Sequence, residues 1–307
     1  MRVAVVDIGT NSTRLLVADV TDGVLSEVER RSTVTRLGRG VDTSGQLAGE
    51  AVEEVCRTVA EYIEAYESLG AERVNAIATS AVRDAENSGA FIAEFRERFG
   101  LDTRILAGAE EAGLVYLGAF AERPPASEST LVVDIGGGST ELVVGSGGEV
   151  GFYTSLQAGT VRHTERYLRT DPPDPGELEA LSDDVRSLID AELTGEAIAT
   201  AAQGIAVAGT PTSLAAIDQE LDPYDPERVH GYKLPFDSIQ RLYSLLSSKT
   251  LEERLQVTGL HPGRAPTIVA GVVILIQVMR AFGLKEIEVS EHDILYGAAL
   301  EAVHAPA

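Results

Sequence analysis

Short apolar runs alternate with longer amphipathic stretches along this chain, and the alternation predicts a mixed α/β protein. Runs rich in β-branched residues recur at residues 2–7, 74–78, 130–134 and 204–208, and each predicts a buried strand. Residues 47–69 place apolar side chains at helical spacing and predict a long amphipathic helix. Strands that alternate with helices in this way are typical of α/β domains. Further helices are predicted at 91–99, 110–121, 177–193, 235–248, 264–281 and from 292 onward, and further strands at 13–19, 24–37, 103–106, 141–145, 150–155 and 286–290.

One pattern occurs twice, 127 residues apart. Residues 5–17 read VVDIGTNSTRLLV, residues 132–144 read VVDIGGGSTELVV, and nine of the thirteen positions are identical. Each copy predicts a strand, a tight Gly-containing turn with hydroxyl side chains, and a returning strand. Two ordinary Gly-rich hairpins are the alternative, but they would not be expected to repeat the Asp at the same point. The repeat therefore predicts two related domains.

Each predicted hairpin has the chemistry of a phosphate site. Glycines let a backbone approach a ligand closely, and successive N–H groups in a turn form an anion-binding nest. Asp7 and Asp134 end the first strand of their hairpins, where a carboxylate can hold a metal ion beside such an anion. We therefore expect phosphate and a divalent cation at both turns.

The composition limits the kinds of ligand that the protein is expected to bind. The 307 residues include 48 Asp and Glu against 25 Lys and Arg, a formal net charge of −23, which argues against a nucleic-acid binder. Exposed charges are screened beyond roughly 8 Å at physiological salt, so a few local Arg side chains, backbone N–H groups and cations can still hold a polyanion. The chain is long enough for two domains.

No membrane segment or leader is expected. The longest apolar run, residues 268–279, falls short of the roughly 20 residues that span a bilayer and predicts a buried core helix. The first strand begins by Val3, with no charged stretch and apolar stretch before it. The single Cys56 excludes an intrachain disulfide, fits a reducing cytoplasm and lies in a helical pattern, so we expect a cytoplasmic protein with Cys56 in its core.

The hairpins resemble those of the actin, sugar-kinase and 70-kDa heat-shock superfamily. More closely, DIGTNS at 7–12, GAEEA at 108–112 and DIGGGSTE at 134–141 resemble the exopolyphosphatase and guanosine pentaphosphate phosphohydrolase family, in its short two-domain form. The similarity continues at residues 78–83, 209–213, 230–231 and 289–290.

This resemblance implies two duplicated ribonuclease H-like (actin-like ATPase) domains around a central cleft. The domains are expected at residues 1–123 and 124–292, with a hinge at 123–127 and a C-terminal helix at about 293–307 that packs back on the first domain.

The resemblance also implies a site. Glu111 aligns with the catalytic glutamate of the family, and a shift of one residue in that alignment would select Glu110 instead. Glu141 is implied as a second catalytic residue, and a buried structural role is its alternative. Arg83 is implied to hold phosphate, with a surface salt bridge as the less favoured alternative. Divalent metal, Mg²⁺ or Mn²⁺, is expected on Asp7, Asp134 and Glu141. Substrate contacts are expected from Gly9, Asn11, Ser12, Arg83, Gly136, Gly137, Gly138 and Ser139.

The implied activity is release of orthophosphate from the ends of inorganic polyphosphate. Guanosine penta- or tetraphosphate is the alternative substrate; a small-molecule kinase and a non-enzymatic sensor are the alternative classes. Gly209 opens a turn that holds phosphate or adenosine in relatives, but Ala208 stands where a second Gly is usual and Pro211 removes an N–H donor, which argues against nucleotide binding. A helix cap at Thr212 is the other interpretation of that turn. We expect neither nucleic acid nor membrane as a partner, and a homodimer stays open.

Overall fold

The computed structural model describes residues 1–121, 123, 128–193 and 201–304. The chain divides into two compact units, one formed by Met1–Arg123 with Asp293–Ala307 and the other by Pro124–His292. Each unit has its own sheet and its own apolar core. The expected hinge residues 124–127 lie outside the described residues.

The first unit is built on a five-stranded sheet. Its strands are β1 (Arg2–Ile8), β2 (Thr13–Thr21), β3 (Val24–Thr33), β4 (Arg73–Ala78) and β5 (Thr103–Ile105), in the order β3-β2-β1-β4-β5. Antiparallel pairing joins β1, β2 and β3, whereas β4 and β5 run parallel to β1. Side chains Val3 to Val6 of β1 are all buried, as expected for a central strand covered on both faces.

Helices of the first unit follow the strand ends. They are α1 (Val41–Ser44), α2 (Gly49–Ser68), α3 (Ser80–Asp84), α4 (Ser88–Phe99) and α5 (Gly108–Ala119). The amphipathic α2 buries Val55, Val59 and Tyr62 against the sheet core, which is the face that its sequence periodicity predicts. Cys56 lies in this core, as expected.

The second unit repeats the hairpin on a six-stranded sheet. Its strands are β6 (Thr130–Ile135), β7 (Thr140–Ser146), β8 (Glu149–Leu156), β9 (Gln203–Val207), β10 (Lys233–Pro235) and β11 (Glu286–Val289), in the order β10-β11-β9-β6-β7-β8. Its helices are α6 (Thr160–Tyr167), α7 (Pro175–Glu192), α8 (Gly209–Asp218), α9 (Pro226–Val229), α10 (Phe236–Ser247), α11 (Leu251–Arg254) and α12 (Ile268–Ala281). Residues Ile268 to Met279 of α12 are all buried, which explains their unbroken apolar run.

The last helix, α13 (Ile294–His304), belongs to the first unit. It crosses α5 at two glycines: a Cβ on Gly297 would lie 1.9 Å from the carbonyl oxygen of Leu114, and one on Gly118 would lie 1.9 Å from that of Asp293. Only glycine fits at either position. The Asn75 side chain of β4 also donates to the carbonyl of Ala298 at 3.1 Å, so α13 closes one side of this sheet.

Most predicted elements are present within a few residues, with two informative differences. The strand predicted through residue 37 ends at Thr33, because N–H groups after it bond to the first hairpin turn instead of to β2. The helix predicted from Arg264 begins at Ile268. The short elements α1, α9, α11 and β10 were not predicted, because three or four residues are too few to show a period. No helix in the described part of the chain is long and apolar enough to cross a membrane.

Candidate active site

The turn of the first hairpin is held by its carbonyl groups. The N–H of Gly9 donates to the carbonyl of Ser12 at 3.0 Å and closes the turn. Three N–H groups of residues 35–38 donate to the carbonyls of Thr10 and Asn11 at 2.8 to 3.1 Å. Because these N–H groups satisfy the carbonyls of the turn, its polar side chains are left to bind another partner.

Three buried polar atoms of this hairpin have no hydrogen-bond partner among the described residues. They are Oδ1 of Asp7, Nδ2 of Asn11 and Oγ of Ser12. An unsatisfied buried polar group costs about 1–3 kcal/mol, so such a cluster marks a place where a ligand completes the bonding. All three residues belong to the predicted site. A carboxylate oxygen suits a hard cation, while the amide and hydroxyl suit phosphate oxygens.

Arg14 bridges two buried carboxylates in the first unit. Its Nε and Nη2 donate to Oδ2 of Asp7 at 2.8 and 2.6 Å, and its Nη1 donates to Asp293 at the start of α13. Burial raises the pKa of Asp7 against the opposing effect of Arg14. Burial also acts to raise the pKa of Asp293, but Arg14, Arg30 and the N–H of Leu295 together hold it below its usual value. Sequence reasoning missed both Arg14 and Asp293.

The second hairpin turn has the same support from a different element. The N–H of Gly136 donates to the carbonyl of Ser139 at 3.0 Å, as Gly9 does to Ser12. The first residues of α6 then hold the turn, because Thr160 and Val161 donate N–H groups to the carbonyls of Gly136 and Gly137 at 3.0 and 2.8 Å.

Donors of this second turn remain available. Throughout the described ranges, nothing accepts a hydrogen bond from the N–H of Gly137 or Gly138. Arg162 on α6 donates from Nε to the carbonyl of Gly138 at 2.8 Å and so supports the turn from its carbonyl side. These two N–H groups are the donors that a phosphate nest at this turn would use, so the predicted nest stays a prediction.

The two hairpins differ in charge at one matched position. Arg14 pairs with Asp7 across β1 and β2, and in the same register Glu141 pairs with Asp134 across β6 and β7. The first hairpin therefore carries an Asp–Arg ion pair, whereas the second sets two buried carboxylates side by side. Glu141 also accepts a hydrogen bond from Ser155 Oγ at 2.8 Å.

Two adjacent carboxylates are what Mg²⁺ usually takes from a protein, with water and substrate phosphate as its other ligands. The described residues contain no cluster of three or more His, Cys, Asp or Glu arranged around a metal position. The donor set of the second hairpin thus fits a cation completed by phosphate better than a metal site made wholly of protein.

Arg83, which is partly exposed, and the buried Glu111 form an ion pair between α3 and α5. Arg83 Nη1 donates to Glu111 Oε2 at 2.7 Å and to the carbonyl of Leu106 at 2.8 Å. Burial raises the pKa of Glu111, and Arg83 lowers it in part. The neighbouring Glu110 is half exposed and accepts the N–H of Ala107 at 2.9 Å, which closes the first turn of α5.

The Gly209 turn differs from expectation. Thr212 is not a helix cap, because its hydroxyl bonds to the carbonyl of Ala208 at 3.0 Å. Ala208 itself has φ 70° and ψ −169°, a region that essentially only glycine adopts without strain. An alanine here thus occupies a glycine conformation.

Two sheets that each carry such a hairpin define a duplicated α/β protein. The sequence model of the Ppx/GppA phosphatase family matches residues 16–303, and the chain belongs to this family. "Exopolyphosphatase 2" of Mycobacterium tuberculosis is 37% identical over 97% of this chain and 98% of its own length, and "Exopolyphosphatase 1" of Mycobacterium bovis is 30% identical over 100% and 90%. The family and the fold class predicted from the sequence are confirmed.

Solved structures agree over nearly the whole chain. A crystal structure described as an exopolyphosphatase-like protein superposes with a TM-score of 0.92 at 34% identity, covering 98% of this chain and 97% of its own. The Aquifex aeolicus member of the Ppx/GppA family gives a TM-score of 0.84 at 31% identity, covering 99% and 98%.

Proposed function

We propose that this protein is an exopolyphosphatase that hydrolyses the terminal phosphoanhydride bond of inorganic polyphosphate and releases orthophosphate. The names of relatives that match over nearly their full length support this activity. One structural observation carries the assignment to particular residues: Glu111 is a buried carboxylate with a raised pKa, held by Arg83 in the unit whose phosphate turn has unpartnered polar atoms.

In the proposed reaction, Glu111 takes the proton of the attacking water. The water oxygen forms a bond to the terminal phosphorus, the bridging P–O bond breaks, and the electron pair leaves with a chain shorter by one phosphate. A carboxylate with a raised pKa is a better proton acceptor than an ordinary glutamate. Arg83 would fix the orientation of Glu111 and offer charge to the phosphoryl oxygens, and Asn11 and Ser12 would hold oxygens of the bound chain.

We further propose that Mg²⁺ or Mn²⁺ is required. Asp134 and Glu141 would hold it in the second unit, where Gly136 to Ser139 supply N–H groups to phosphate; in the first unit, Oδ1 of Asp7 is the remaining carboxylate oxygen open to a cation. When bound, the cation neutralises charge on the transferred group. The neutral side chains and backbone donors of the two turns would then orient the substrate.

Guanosine pentaphosphate is the variant substrate, since its terminal bond is the same phosphoanhydride. A kinase is less well supported, because Ala208 and Pro211 alter the turn that would hold adenosine. We place the activity in the cytoplasm on the strength of the single buried Cys56.

The deciding experiment measures phosphate release with Mg²⁺ from short polyphosphate, long polyphosphate, guanosine pentaphosphate and ATP in parallel. Wild type should release phosphate from polyphosphate, and Glu111→Gln, purified identically, should not. Consumption of ATP only with an added acceptor would instead identify a kinase. Polyphosphate binding without turnover in wild type would identify a sensor.

A further inference from the structure

A buried histidine links two helices of the second unit. His163 on α6 is fully buried, and its Nδ1 accepts a hydrogen bond from the N–H of Gly159 at 3.3 Å. Its Nε2 lies 3.1 Å from Oδ2 of Asp184 on α7. Because Nδ1 accepts, the proton is on Nε2, so the ring is neutral and donates to Asp184.

Gly159, which the histidine holds, lies directly against the second phosphate turn. A Cβ on Gly159 would be 2.3 Å from the carbonyl oxygen of Gly137 and 2.3 Å from the carbonyl carbon of Gly138. The next residue, Thr160, donates its N–H to the carbonyl of Gly136. With backbone packed on backbone and no side chain between them, a shift of Gly159 would displace the turn.

These contacts form one continuous path. It runs from Asp184 through the ring of His163 to the N–H of Gly159, and from there to Gly137 and Gly138. In the described part of the chain, the carbonyls of the first hairpin turn are held by loop residues 35–38 and not through a histidine. The histidine therefore serves the second turn alone.

We infer that His163 is a positioning residue for the phosphate turn at residues 136–139, with Asp184 fixing its tautomer. The inference rests on the proposed function only in naming polyphosphate as the ligand of that turn. The bond that matters is the one from Gly159 to Nδ1, since it is the link that reaches the turn.

Two substitutions of His163 by amide side chains test its two hydrogen bonds one at a time. His163→Asn places an oxygen near the position of Nδ1 and can still accept from Gly159, whereas His163→Gln places its amide near Nε2 and keeps only the contact with Asp184. We expect the Gln variant to raise KM for polyphosphate about tenfold with kcat within about threefold of wild type, which corresponds to about 1.4 kcal/mol of lost binding. The Asn variant should have a KM near that of wild type.

A matched control is His261, whose Nδ1 accepts the N–H of Gly263 at 3.1 Å at an exposed place. His261→Gln breaks the same kind of bond and should leave KM unchanged. A second readout needs no activity. The backbone amides of Gly136, Thr160 and Val161, whose hydrogen bonds close and hold the turn, should exchange hydrogen for deuterium faster in the His163→Gln protein than in wild type or the Asn variant.

Equal KM values and equal exchange for the Gln and Asn variants would overturn the inference, because general loss of stability would affect both alike. Should wild type release no phosphate from polyphosphate, the proposed function would fail. The exchange comparison would still decide the role of His163.

Discussion

The partly exposed Arg83 donates a hydrogen bond over 2.7 Å to the buried carboxylate of Glu111 in the first unit. Burial of the carboxylate and attraction by the guanidinium act on its pKa in opposite directions, and burial has the larger effect. The pair thus keeps Glu111 ionisable yet more basic than an exposed glutamate. Glu110, one residue earlier, is half exposed and closes the first turn of α5 instead, and the first prediction tests this contrast.

Glu111→Gln should lower kcat by about 10² to 10⁴-fold, the usual contribution of a positioned general base. Glu110→Gln should leave kcat near wild type, because a glutamine oxygen can still accept the N–H of Ala107. Steady-state phosphate release checks both, and a binding measurement should show that the Glu111 variant keeps its substrate affinity. Reversed phenotypes would assign the chemistry to Glu110 instead.

The loss of kcat/KM at acid pH should reflect protonation of Glu111. The carboxylate must be ionised to accept a proton, so kcat/KM should fall as pH falls through a pKa above the ordinary value of 4.5. Arg83→Ala removes the main group that lowers this pKa, so the acid limb of the variant should move to higher pH, and its KM should rise. Arg98→Ala, which breaks an exposed pair with Glu53 at 2.9 Å, is the control and should shift nothing. If Arg83→Ala left the pH profile unchanged, Arg83 would have no influence on the pKa of the catalytic base.

Metal removal should abolish phosphate release, and added Mg²⁺ should restore it. Because Ser155 holds Glu141 by a hydrogen bond, Ser155→Ala should raise the Mg²⁺ concentration for half-maximal activity by about tenfold, as loss of a ligand's supporting bond commonly does. Glu141→Gln should have a larger effect. Full activity in excess chelator would exclude the proposed metal role.

Ser12→Ala should weaken substrate binding without destabilising the fold. Its hydroxyl is buried and has no partner in the described structure, so removing it should leave the free energy of unfolding unchanged or raise it by up to about 1 kcal/mol. Thr13→Val is the contrast, since that hydroxyl bonds to Thr35 at 3.0 Å and its loss should cost about 1 kcal/mol. Urea unfolding and KM for polyphosphate measure the two effects. A normal KM for Ser12→Ala would remove this hydroxyl from the site.

Stability should depend on pH through His163. Burial lowers its pKa below the ordinary 6.5; Asp184 acts to raise it, and Arg166 and Arg162 act to lower it. As pH falls below 6.5 the unfolded chain takes up a proton before the folded one, so the free energy of unfolding should fall from there toward the lowered pKa. Urea unfolding at several pH values should show a smaller loss for His163→Asn. Identical slopes would indicate that other groups dominate the acid limb.

The repeat made much of this fold predictable. Asp7, Asp134 and their glycines could be found from sequence because the matching stretches place the same chemistry on two hairpins. Glu111 needed the family resemblance, since an acidic residue in a first helical turn is common for electrostatic reasons alone. The roles of the site residues stay predictions.

Long-range partners could not be predicted. Arg14 and Asp293 are 279 residues apart, and nothing in either local pattern joins them. One signal did exist: Arg14 aligns with Glu141, a reversal of charge within a repeat in which nine of the thirteen positions are identical. His163 gave no signal, because a single histidine in a helix is more often a core residue than a positioning one.

The Gly118–Gly297 crossing has a consequence for biosynthesis. Domains generally fold in the order in which the ribosome makes them. Here the first unit needs α13, and the whole second unit is translated before that helix emerges. Until then, the face of β4 that receives Ala298 and the groove beside Gly118 have no cover. Nascent chains of this protein should therefore complete the second unit first. Until α13 is made, chaperones would bind the uncovered sheet of the first unit.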